Sequence, residues 1–201
     1  MVAAFAIAFA VTPPRGPRSM RQFRPARLAQ LEVGMWQAYY AKNRVRLFGL
    51  LVTTLREQYR YSWAVASVEA FHLARAAATF AELKSNYDVV LPDLEAAYER
   101  ARSWTGAGFD PRAVARAELA WWVARRVPGR NSPEQVGRLI AEEYALLYET
   151  TPENVETAAV LRARAAAIRD AQADQPDWSE IARLLRASYD ELLAALASAN
   201  V

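Results

Sequence analysis

Apolar residues recur along most of this chain at intervals of three and four, the period of an α-helix, and nowhere in the strict alternation of a strand. PARLAQLEVGMWQAYYAK predicts a first helix over about 25–42. VRLFGLLVTTLREQYRY predicts a second over about 45–60, with only a bend between the two. Residues 62–84 form a long, mostly apolar helix, and another over about 88–104 stops at the loop TGAGFD. Asp110 caps the next, with Pro111 in the favoured first position, and that helix runs to Arg126. SPEQ at 132–135 is a capping box that starts a helix to about Glu149. Thr151-Pro152 repeats the start signal for a helix to about 172, and DWSE at 177–180 caps the last one. No hairpin turn of the Asn-Gly type and no internal repeat interrupts the series. The expected fold is an all-α bundle of about seven or eight helices, formed by 25–201 as one domain.

Composition narrows the chemistry more than the fold. The chain has 201 residues, no cysteine and one histidine, His72. Disulfides, thiolate ligands, cysteine nucleophiles and multi-histidine zinc sites are therefore excluded, and no serine stands in a nucleophile-elbow context. The net charge is +3 and nearly all the basic residues are arginine, Lys42 and Lys84 being the only lysines. No helix has a solidly basic face, so nucleic acid is not indicated. MVAAFAIAFA at the start is too short to span a bilayer and has no basic residue before its apolar run, which argues against a signal peptide. Arg15, Arg18, Arg21, Arg24 and Arg27 follow it. Residues 1–24 thus read as a disordered leader, with Met20 as an alternative start, or as a basic tail for an anionic membrane surface. A cytoplasmic protein without a transmembrane helix is expected, and homo-oligomerisation is left open.

Four glutamates stand out when helix faces are assigned at about 100° per residue. Glu32 falls among Leu28, Met35, Trp36 and Tyr39. Glu69 falls among Val65, Leu73, Ala76 and Phe80, with His72 three residues on. Glu118 falls among Val114, Ala115, Trp121 and Trp122, with Arg125 two turns on along the same face. Glu143, and not its neighbour Glu142, falls among Val136, Leu139, Ile140 and Leu147. An ionised carboxylate alone in a core is very costly, so each must be neutralised, paired with a cation or bound to a metal. Glu118 and Glu143 are about equally far from the turn near Gly129, so an antiparallel hairpin puts both carboxylates at one level.

A glutamate on one helix, E-x-x-H on the next and glutamates on two more resembles the ferritin-like di-metal carboxylate superfamily. The resemblance covers about 25–149 and implies a four-helix core with Glu32, Glu69, His72, Glu118 and Glu143 as ligands to two iron or manganese ions. It implies Tyr39 as a tyrosine beside the metals, and an oxidase, an oxygenase or a metal store as the activity. The superfamily's second E-x-x-H is absent, because Leu146 stands three residues after Glu143. The competing expectation is a non-catalytic helical scaffold or interaction module, its glutamates held in buried networks. Arg44, Arg46, Arg75 or Arg125 would supply the cations and Tyr39, Tyr40, Tyr59 or Tyr144 further hydrogen bonds. In that reading Trp121-Trp122 and the last two helices supply core packing or a partner surface.

Overall fold

The computed structural model describes residues 10–198, and among them the chain is helical with no strand. The helices are α1 (Pro25–Tyr40), α2 (Arg44–Tyr59), α3 (Trp63–Glu82), α4 (Leu91–Thr105), α5 (Pro111–Ala124), α6 (Pro133–Tyr148), α7 (Pro152–Ala171) and α8 (Trp178–Ser198), with a 3-10 turn at Tyr87–Val90 before α4. Boundaries follow the sequence signals closely. The Ser132 hydroxyl accepts from the Gln135 amide, and the Gln135 side chain answers the Ser132 amide, completing the capping box. Asp110 accepts from the Arg112 amide, and Asp177 from those of Ser179 and Glu180. Gly106 ends α4 at φ 74°, a left-handed conformation that glycine adopts without strain. Between α1 and α2 there is a full break and not a bend. Lys42 sits at φ 56°, and Asn43 accepts from the Arg46 amide to start α2 afresh.

The helices pack in chain order, each on the next from α1 to α8, and α8 returns to pack on α1. The order is therefore a closed ring. Side chains reach across it: Tyr98 of α4 bonds Glu143 of α6, and Arg162 of α7 bonds Glu32 of α1. Tyr59, Tyr61, Tyr98, Trp121, Tyr144 and Tyr148 are all buried there. This ring does not set apart the four-helix core that the ferritin-like resemblance implies. Of the glutamate-bearing helices α1, α3, α5 and α6, only α5 and α6 pack directly on one another, because α2, α4, α7 and α8 lie between the rest.

The tightest seam is α6 against α7. A Cβ added at Gly137 would lie 2.7 Å from Val160 Cγ2 and 2.9 Å from its Cα. A backbone atom cannot yield as a side-chain tip can. Gly137→Ala is expected to cost about 1–3 kcal/mol by overpacking. A urea midpoint equal to the parent's would show that the two helices can separate freely.

Part of the expected leader belongs to the folded body. Met20 and Phe23 are 5% and 6% exposed and join the core. Arg21 donates to the Tyr148 carbonyl at 2.5 Å, and the Arg18 guanidinium lies 4.0 Å over the Trp104 ring. Arg24 makes a two-pronged ion pair with Glu57 at 2.5 and 2.6 Å. Met20 and Phe23 thus pack in the core, and Arg18, Arg21 and Arg24 contact the helical body. The apolar run at 1–9 lies outside the described residues. No helix among the described residues is long and apolar enough to cross a membrane.

Candidate functional site

Face assignment placed the glutamates correctly with respect to burial. Glu32, Glu69 and Glu143 are 2%, 2% and 5% exposed, Glu118 is partly buried, and Glu142 is exposed. What faces them differs from either list of expected partners.

Glu32 on α1 meets the neighbouring α8 and, beyond it, α7. Arg162 donates to Glu32 Oε1 from Nε at 3.0 Å and from Nη2 at 2.6 Å. Tyr189 donates to Oε2 at 2.6 Å. Both oxygens are thus answered, one by charge-assisted bonds. Burial alone would lower the Arg162 pKa, but Glu32, Tyr144, Tyr189 and Glu143 outweigh it and hold it well above its ordinary value.

Glu118 and Glu143 lie at one level, as the hairpin geometry requires. The hydroxyl of Tyr98 on α4 stands between them, 2.8 Å from Glu118 Oε2 and 3.2 Å from Glu143 Oε1. Trp121 Nε1 donates to Glu143 Oε2 at 2.5 Å. Burial, then the charge of Glu143, pushes the Glu118 carboxyl up to about 8. Burial also raises Glu143, against the pull of Arg162 and of the Trp121 and Tyr98 hydrogen bonds.

Glu69 and His72 go elsewhere. Glu69 faces Arg100 on α4, Nε to Oε2 at 3.3 Å, and burial pushes its carboxyl up to about 8 in spite of that cation. The Tyr61 hydroxyl is fully buried nearby and raised by burial and by the Glu69 charge. His72 is half-buried and turns to Asp93, Nδ1 to Oδ1 at 2.9 Å, where Arg75 also forms a two-pronged ion pair. Hydrogen bonds from Arg75 hold the Asp93 carboxyl below its usual range, with His72 adding to the effect.

The ligand set implied by the resemblance is thus divided. Glu118 and Glu143 share Tyr98, Glu32 is held by Arg162 and Tyr189, Glu69 faces Arg100, and His72 pairs with Asp93. Among the described residues no group of three or more histidine and carboxylate side chains is placed to hold a metal ion. Tyr39, two turns and about 10 Å beyond Glu32 along α1, packs edge-on to Tyr40 with centroids 5.1 Å apart. The tyrosine that reaches Glu32 is Tyr189. None of the arginines singled out from the sequence pairs with these glutamates. Arg125 pairs with Asp170 and Tyr40, Arg75 with Asp93, and Arg44 and Arg46 are exposed. A surface groove of about 720 Å³ beside α5 is lined by Tyr87, Asp88, Arg116 and Arg130, and by none of the candidate residues.

Comparison with family models, curated proteins and solved structures finds no match.

The residues that sequence reasoning passed over are Arg162, Tyr189, Tyr98 and Arg100. The signal was present. Arg162 is seven residues from Val155, four from Ala158 and three from Ala159, all buried on one face of α7. Tyr189 lies in the leucine stripe of α8 between Leu185 and Leu192, and Tyr98 between Leu94 and Ala101 on α4. The face count that selected the glutamates selects these too.

Proposed function

We propose that this protein is a non-catalytic helical scaffold or interaction module whose ring of helices is held in register by buried carboxylate networks. The observation that carries this reading is that each of the four inward glutamates faces protein donors: Arg162 and Tyr189, Arg100, Tyr98 and Trp121. Glu32, Glu118 and Glu143 are hydrogen-bonded in this way, which fixes packing without needing a ligand, whereas Glu69 has the Arg100 ion pair at 3.3 Å with no hydrogen bond between the facing atoms. For a partner surface, Val45, Phe48, Val68 and Phe71 of the adjoining helices α2 and α3 are exposed.

The second reading is the di-metal protein. It is favoured by one observation, the shared contact of Glu118 and Glu143 with Tyr98, which brings two of its expected ligands together. It requires Glu69 and His72 to leave Arg100 and Asp93, and the residues as arranged do not fit two metal ions. Metal analysis separates the two. Protein purified without a histidine tag and incubated with ferrous or manganous salt is expected to retain far less than one equivalent, equally in the parent, Glu118→Gln and His72→Ala. Stoichiometric metal that is lost in those two variants would overturn the scaffold reading.

A further inference from the structure

The Tyr98 oxygen lies within hydrogen-bond distance of two carboxylates, at 2.8 Å from Glu118 and 3.2 Å from Glu143. A phenol has one proton to donate and cannot satisfy both. With both carboxylates ionised, one oxygen pair would face the phenol oxygen with no hydrogen between them. Among the described residues no cation is hydrogen-bonded to either carboxylate: Arg162, whose charge acts on both, bonds to Glu32 through Nε and Nη2. The chain of contacts closes if one carboxyl keeps its proton. Tyr98 then donates to the ionised partner and accepts from the protonated one. Trp121 serves Glu143 in either arrangement, donating to its other oxygen.

We propose that Glu118, Tyr98 and Glu143 form a buried proton-binding site, which holds one proton beyond the phenol's own at neutral pH and thereby joins α4, α5 and α6. On alkalinisation the carboxyl O–H bond breaks, hydroxide takes the proton as water, and two like charges are left across one hydroxyl. The ionisable groups around the site are few. Arg162 of α7 acts on both carboxylates, and Glu32 of α1 adds to the negative charge at Glu143. Tyr59 of α2, Tyr144 and Tyr148 of α6, and Tyr189 of α8 complete the surroundings. Burial holds all four phenols above their ordinary value and therefore neutral in this range.

The sign of the effect follows from linkage. An unfolded glutamate releases its proton above about pH 4.3, while the native pair keeps one up to about 8. The native state therefore binds more protons in that interval, and stability falls as pH rises through it. The pair titrates as a unit, so the proton belongs to both residues. Glu69, also raised to about 8, acts in the same direction and must be separated from the pair.

The test is a carbon NMR titration of the glutamate side-chain carboxyls in the parent protein, from about pH 5 to about pH 9, with urea midpoints over the same range. Besides Glu69, one further carboxyl equivalent is expected to titrate well above the normal glutamate range. That signal is expected to vanish in Glu118→Gln and Glu143→Gln and to persist in Glu69→Gln. Glutamine mimics the protonated acid by donating to Tyr98, so each of the two variants should show a weaker fall of midpoint with rising pH. Parent spectra in which every carboxyl other than Glu69 titrates in the normal range would overturn the proposal, even if no variant folds. So would pair variants that fold and retain the parent's full pH slope.

Discussion

Arg162→Met is expected to lower the unfolding free energy by about 3–5 kcal/mol, the usual cost of removing one partner from a buried ion pair. The parent pair is 19% and 2% exposed, so Glu32 has almost no access to water. Without the guanidinium it retains one donor, Tyr189, for two oxygens. Its charge is then left buried without a cation. Arg162 also moderates Glu143, so its loss is felt on α6 as well. The cation lies 5.2 Å over the Trp121 ring, a further contact that methionine keeps only in part. Glu32→Leu in the same chain should recover much of the loss, because an apolar pair no longer leaves a charge uncompensated. Urea unfolding of the two single variants and the double variant measures the coupling. A single-variant loss below about 1 kcal/mol, the worth of an exposed ion pair, would mean that water reaches Glu32 and that the ring interior is not sealed.

Trp121→Ala should cost a similar amount, about 3–5 kcal/mol, by cavity formation. The indole is 8% exposed and packs edge-on to Trp122 at 6.1 Å. Trp121→Phe separates packing from hydrogen bonding. It keeps most of the apolar contact but removes the donor to Glu143 Oε2. The expected loss is about 1–3 kcal/mol, the cost of leaving one buried acceptor unanswered. Phe and Ala variants of equal stability would show that the hydrogen bond, and not the ring volume, dominates. A Trp121→Phe variant as stable as the parent would remove Glu143's need for the indole and weaken the account of the whole network.

The helices were legible in the sequence because their start signals are local. A serine or aspartate side chain answers amides two or three residues away, and prolines sit at first-turn positions, so no tertiary knowledge is needed. The inward direction of Glu143 over Glu142 was legible for the same reason, since it depends only on helical period. The partners were not. Glu32 with Arg162 and Tyr189 joins residues 130 and 157 positions apart, and no local rule connects them. Arg162 was not among the arginines expected to supply the cations, although it shares its face with Val155 and Ala158. Alanine-rich α7 hides that face, because alanine is at home on either side of a helix. The E-x-x-H spacing at Glu69 and His72 was real but uninformative, as the two side chains turn to different neighbours on α4.

The ring order has a consequence for how the chain reaches this state. Its closing contact, α8 on α1, joins two helices far apart in the chain. During synthesis α1 emerges before α7 and α8, carrying a carboxylate whose two partners emerge 130 and 157 residues later. Until then Glu32 has only water, and α1 has no α8 to cover its apolar face. The helices can form locally and pair with their neighbours as they appear, but the closure is non-local and comes last. A ribosome-bound chain stalled before α8 is thus an open arc with its sticky first helix unprotected. Premature termination within α8 is then a hazard to solubility as much as to stability.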